Sequence, residues 1–170
     1  MVFSASVRLW LLPNAVLLAA LAVWGVIRYS HLPERIPQHI GTGGVDAWTD
    51  RSIGGAFSLV FLYAGLTVLM IGSAELSLRM TPRDELPKTT TGLSSSLVNR
   101  PASRESARRT ARALLLLNAS IGISFAVGCG VLWRSTPDPD VPAWLPVALL
   151  APIVLGTVPT IVAALRDRKR

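Results

Sequence analysis

With one cysteine, two histidines and ten acidic residues, this 170-residue chain has few side chains from which to build a redox, metal or acid–base centre. Cys129 stands alone inside an apolar run, which excludes an intrachain disulfide and suits a small packing residue better than a reactive thiol. No charged residue sits at the centre of any long apolar run, which argues against an ion-coupled transporter. A nucleophile elbow, a metalloprotease helix and a phosphate-cradling loop are all absent from the sequence. The chain reads as non-enzymatic and without a cofactor.

Apolar runs, by contrast, are abundant. Four stretches, about residues 9–27, 53–74, 113–133 and 141–165, dominate a sequence that is 51% hydrophobic. Each reaches the roughly 18 apolar residues needed to cross a hydrocarbon core about 30 Å thick. In that solvent the backbone must satisfy its own polar groups, so the expectation is helices. The fold class read here is all-α: an integral membrane four-helix bundle, one membrane domain over residues 1–170, with the lipid bilayer as its first partner.

Charge then orients the bundle. A net charge of +7 would suggest nucleic acid for a soluble chain, but here topology explains it. Arg8 precedes the first stretch. Arg79, Arg83, Lys88, Arg100, Arg104, Arg108, Arg109 and Arg112 lie between the second and third, and Arg166, Arg168, Lys169 and Arg170 follow the fourth. The other side holds Arg28, Arg35, Arg51 and Arg134. Because Lys and Arg are retained on the cytoplasmic side during insertion, both termini and the central basic loop, residues 75–112, are expected to be cytoplasmic. Ala20-Leu21-Ala22 mimics a signal-peptide cleavage site, yet the apolar run continues through Ile27, which favours a retained span.

Within the spans the informative residues are small ones. Ser120, Ser124 and Gly128 form one ridge of the third stretch, and Gly122, Ala126 and Gly130 form a second, interleaved with it. Such ridges let helices approach closely, so this helix is expected at the centre of the bundle or against a partner chain, in a homo- or hetero-oligomer. Asn14 in the first stretch offers a hydrogen bond across helices, and Pro13 beside it predicts a local kink. Glu75 and Arg79 are placed to pair at the end of the second stretch.

In the basic loop, residues 81–100 read as a Thr/Ser-rich linker, and a helix is expected from Pro101 leading into the third span. Arg104, Arg108 and Arg112 recur every four residues along it, and Glu105 is placed to pair with Arg108 and Arg109. That face suits the anionic inner leaflet or a cytoplasmic regulator.

The unusual segment is the loop of residues 28–52. Pro33 and Pro37 stiffen its start, Gly41, Gly43 and Gly44 permit a tight reversal, and Trp48 suits an interface. Asp50 or Ser52 is placed to cap the second span. An ordered hairpin over the extracytoplasmic mouth of the bundle is the expectation. His31, His39, Asp46 and Asp50 match no compact zinc spacing, so the reading assigns no metal and instead a hydrogen bond between His39 and Asp46.

Pro33, Ile36-Pro37, His39, Gly44, Asp46 and Trp48, directly after a first membrane span, resemble the membrane family called domain of unknown function 1648. The same domain forms the N-terminal part of SdpI-like proteins, whose namesake is a bacterial immunity and signalling protein against a secreted toxin. The chain departs from the family at two points: Gly41 stands where Asn is common, and Arg51 where Lys is common. The resemblance implies a bacterial plasma membrane and supplies no catalytic residues. It makes Pro33, Pro37, His39, Gly44, Asp46, Trp48 and Arg51 the candidate contacts for an extracytoplasmic peptide or protein. The rival expectation is a small accessory subunit of a larger membrane or transporter complex, held through the small-residue ridges.

Overall fold

The computed structural model describes residues 5–41, 44–86, 100–134 and 141–168. Helix α1 covers Ala5–Tyr29 and is followed by strands β1 (Arg35–Gly41) and β2 (Gly44–Asp50). A single helical turn α2 (Ile53–Ala56), then α3 (Ser58–Arg79), α4 (Arg104–Leu132) and α5 (Leu145–Arg168) complete the order, with a 3₁₀ turn at Arg83–Glu85. Four of these helices are long and apolar enough to cross a membrane. The all-α bundle therefore stands, with a small antiparallel hairpin added to it.

The outward surfaces confirm what the helices are built to face. Leu9, Val68 and Leu155 are 82%, 70% and 70% exposed, and large aliphatic side chains cover the outside of α1, α3 and α5 in the same way. Contiguous apolar surface of this extent suits hydrocarbon rather than water. Asn14, Thr67, Asn118 and Ser124, by contrast, are buried inside.

Helix α4 is the axis of the bundle and packs on α1, α3 and α5. Its small residues explain how. A Cβ added to Gly122 would lie 2.5 Å from the Tyr63 ring, and one on Gly130 would lie 3.3 Å from Trp24. On the other ridge, Gly128 meets Leu59, while Ser120 faces Gly156 of α5 so closely that a Cβ there would come within 2.6 Å. Ser124 is buried and donates its hydroxyl to the Ser120 carbonyl, and Ala126 packs on the hairpin-end core. Both ridges thus serve contacts within the chain.

Local chemistry sets the helix boundaries. Ser52 Oγ accepts from Gly55 N at 3.1 Å and caps α2; Asp50 instead lies at the end of β2, opposite Arg35. The second apolar stretch is divided at Phe57, so α3 starts at Ser58. Helix α4 begins at Arg104 rather than at Pro101, because Ser103 caps it through Ser106 N and the preceding carbonyls are taken. Arg83 N bonds Pro101 O at 3.0 Å, and Asp84 N bonds Ala102 O at 3.2 Å. Pro13 leaves α1 continuous from Ala5 to Tyr29. Most of the Thr/Ser-rich linker, residues 87–99, lies outside the described residues.

The two ends of the bundle are finished differently. At the end where α1 begins and α5 stops, Asp167 joins α5 to α4: Oδ1 accepts from Ala102 N at 2.8 Å and from the Ser106 hydroxyl, while Oδ2 accepts from Arg83 at 3.4 Å. Arg104 grips Glu85 through two bonds of 2.8 Å, and the expected pairs Arg79–Glu75 and Arg109–Glu105 form at 3.3 and 3.0 Å. At the opposite end sits the hairpin.

Candidate functional site

The hairpin is seated on the bundle by its apolar residues. Leu32 and Ile36 are buried in one cluster with Leu21, Ala56, Val60, Tyr63, Cys129 and Trp133, so the start of the loop and the mouth of the helices share a core. Arg51 closes the loop on itself: its guanidinium donates to Leu32 O at 2.7 Å and its backbone N donates to Glu34 O at 2.7 Å. Arg28 fastens the neighbouring helix end by donating Nε and Nη2 to the Trp133 carbonyl at 3.1 and 3.0 Å. A guanidinium satisfying a helix C-terminal carbonyl is favourable both as a hydrogen bond and against the helix dipole.

Prolines and bulges then shape the strands. Pro37 is buried and lies opposite the half-buried Trp48, while Pro33 is half-buried at the approach to β1. Register shifts flank His39, which faces Ala47, so that Gln38 on β1 and Asp46 on β2 are left without opposite numbers. Pro37 has no N–H to give a ladder, and bulges of this kind re-aim the side chains beside them. Gly44 adopts φ +116° at the turn, a conformation that L side chains rarely take. Thr42 and Gly43 lie outside the described residues.

The outcome is a polar pair at the tip. His39 Nδ1 and Asp46 Oδ1 are 2.6 Å apart, with side chains 68% and 57% exposed. The carboxylate contact at Nδ1 fixes the imidazole orientation and leaves Nε2 outside that contact. Gly41 makes the room: a Cβ there would lie 2.6 Å from Asp46 Oδ2. Gly41→Ala should therefore break the His39–Asp46 contact yet change stability by about 0.5 kcal/mol or less, because the pair is exposed. The His39 ring resonances in NMR and the thermal midpoint check both halves of that expectation. His31 lies apart, within 3.2 Å of the Ile27 carbonyl, and Asp50 sits at the far end of β2.

A second polar group lies deep in the bundle, of which sequence reasoning named only Asn14, whose expected hydrogen bond across helices forms. Asn14, Tyr63, Thr67 and Asn118, one or two from each of α1, α3 and α4, meet where those helices converge. Asn118 Nδ2 donates to Asn14 Oδ1 at 2.7 Å and to Thr67 Oγ1 at 2.9 Å. Asn14 Nδ2 donates to the carbonyls of Trp10 and Leu115 at 3.1 and 3.2 Å, and Tyr63 OH approaches Asn14 Oδ1 at 3.4 Å. Two of the chain's three asparagines lie inside apolar stretches, and that was the available signal. A carboxamide in hydrocarbon needs a partner, and the nearest polar candidate on another span is another carboxamide.

No curated protein and no solved structure matches the chain. Residues 16–63, which hold most of α1, the whole hairpin and the start of α3, match the family model described as Domain of unknown function (DUF1648). The resemblance carried by Pro33, Pro37, His39, Gly44, Asp46 and Trp48 is thereby shown for that segment: this is a chain with four membrane-length helices among its described residues, in which residues 16–63 match the domain of unknown function 1648.

Proposed function

We propose that this is a non-enzymatic multi-pass membrane protein whose hairpin receives an extracytoplasmic peptide or protein. The observation that carries the reading is the contrast within one loop: Leu32 and Ile36 are locked into the helix core while His39 and Asp46 are held exposed at the tip. A rigid base with an oriented polar tip is what a recognition site requires, since ordering costs are met in folding rather than on binding. The distribution of Lys and Arg supports termini in the cytoplasm and the hairpin outside, and the family resemblance supports a bacterial plasma membrane. Immunity or signalling in the manner of SdpI-like proteins is the form this binding would take, with the basic segment before α4 passing the state to a cytoplasmic regulator.

The accessory-subunit reading rested on the two small-residue ridges of α4. Gly122, Gly128, Gly130 and Ser120 instead meet Tyr63, Leu59, Trp24 and Gly156 of the same chain, so the hairpin reading is preferred.

A pull-down of the tagged protein in mild detergent, wild type against His39→Ala/Asp46→Ala at matched expression, tests the proposal. A factor captured by wild type and lost by the double variant supports recognition at the tip. A factor captured equally by both would transfer the site elsewhere and defeat the proposal.

A further inference from the structure

At the end opposite the hairpin, α1, α4 and α5 enclose a groove of about 260 Å³. Its floor is apolar, with Pro159 and Val162 of α5 among the lining, and Trp10 of α1 stands at one side. Its rim is cationic: Arg109 and Arg112 come from α4 and Arg166 from the last turn of α5. Among the described residues Arg112 and Arg166 enter no ion pair. Arg109 gives Nη2 to Glu105 at 3.0 Å, but its Nε is buried and has no hydrogen-bond partner among the described residues. Of the other carboxylates at this end, Asp167 is engaged with Ala102, Ser106 and Arg83, Glu85 with Arg104 and Glu75 with Arg79.

These residues stand at the borders of the apolar stretches, the depth at which headgroups meet hydrocarbon and where Trp and Arg are favoured. We propose that the groove binds one anionic phospholipid of the adjoining leaflet, its phosphate held by Arg109, Arg112 and Arg166 and an acyl chain laid along Pro159 and Val162. The charge is complementary, and guanidinium forks match phosphate oxygens in pairs. An apolar floor beneath three cations distinguishes a lipid from a free anion, which would gain nothing from Val162. A basic pocket between membrane helices is a recurring arrangement for such headgroups.

The test is native mass spectrometry of the full chain in detergent, titrated with phosphatidylglycerol, with phosphatidylcholine of the same chains, and with inorganic phosphate. Wild type should prefer phosphatidylglycerol over both. Arg112→Gln/Arg166→Gln should weaken that binding roughly thirty-fold, two charges' worth of headgroup attraction. Arg108→Gln/Arg168→Gln removes the same charge outside the groove and should leave the affinity within about twofold. Val162→Trp fills the floor with every arginine in place and should also weaken the lipid; it carries the test alone if the arginine variant does not fold. Equal losses in the two double variants, no preference for phosphatidylglycerol, phosphate binding as tight as lipid binding, or an unaffected Val162→Trp would each overturn the assignment.

Discussion

Trp133→Ala should lower the stability of the bundle by about 3–5 kcal/mol, the range for removing a large buried aromatic side chain. Trp133 is the largest of the fully buried side chains, at 2% exposure, and it sits where three elements meet. Its ring lies edge-on to Trp24 of α1 at 5.2 Å and tilted against Phe57, before α3, at 5.9 Å. Its indole N–H donates to the Ala56 carbonyl of α2 at 2.7 Å. Gly25 exists as a hollow for it: a Cβ there would lie within 2.8 Å of the ring. Truncation would open a cavity that the lipid cannot fill and would leave the Ala56 carbonyl without its donor. Trp133→Phe separates the two effects, since it keeps most of the packing and loses the hydrogen bond. That variant should cost about 1–2 kcal/mol. Thermal unfolding in detergent, followed by far-ultraviolet circular dichroism, gives both values. An alanine variant within about 1 kcal/mol of wild type would mean that the mouth of the bundle is not closed around this ring.

How far the sequence alone leads depends on which interaction sets each feature. The helices were legible because span length in a bilayer is a one-dimensional property of the chain. Ser52 was legible as a cap, and Glu75 with Arg79 as a pair, because both are local in sequence. The His39–Asp46 bond was legible for a related reason, since seven residues across a glycine-rich reversal leave few alternatives. What escaped was long in range. Nothing near Asn118 in sequence points to Asn14, 104 positions away, or to Thr67, 51 positions away. The start of α4 at Arg104 depended on Pro101 and Ala102 serving the turn at Arg83–Glu85, a contact between segments the sequence does not align. The bond from the Arg51 guanidinium to Leu32 O, 19 positions away, which holds the loop closed, was likewise not legible in the sequence. The small-residue ridges showed that α4 packs closely, but only the fold reveals that Tyr63, Trp24 and Gly156 are what it packs against.

The buried polar group leads to an unequal response from its two asparagines. Asn14 uses both ends of its carboxamide: Nδ2 donates to Trp10 O and Leu115 O, and Oδ1 accepts from Asn118 and Tyr63. Asn118 uses Nδ2 alone, and its Oδ1 is buried without a partner among the described residues. An unsatisfied acceptor already carries its desolvation cost, so removing it returns part of what the lost donor bonds take away. Asn14→Leu should therefore cost about 2 kcal/mol and Asn118→Leu about 1 kcal/mol or less, as contacts between membrane helices are individually modest. The double variant should cost less than the sum of the two, because Asn14→Leu strands the Asn118 amide that Asn118→Leu removes. The same thermal unfolding experiment, run as a double-mutant cycle, decides the matter. Coupling of about 1 kcal/mol would establish one connected group joining α1, α3 and α4 at mid-depth. Strictly additive losses, or a larger loss from Asn118→Leu than from Asn14→Leu, would show that the two carboxamides are satisfied separately and that packing along α4 alone aligns the helices beneath the hairpin.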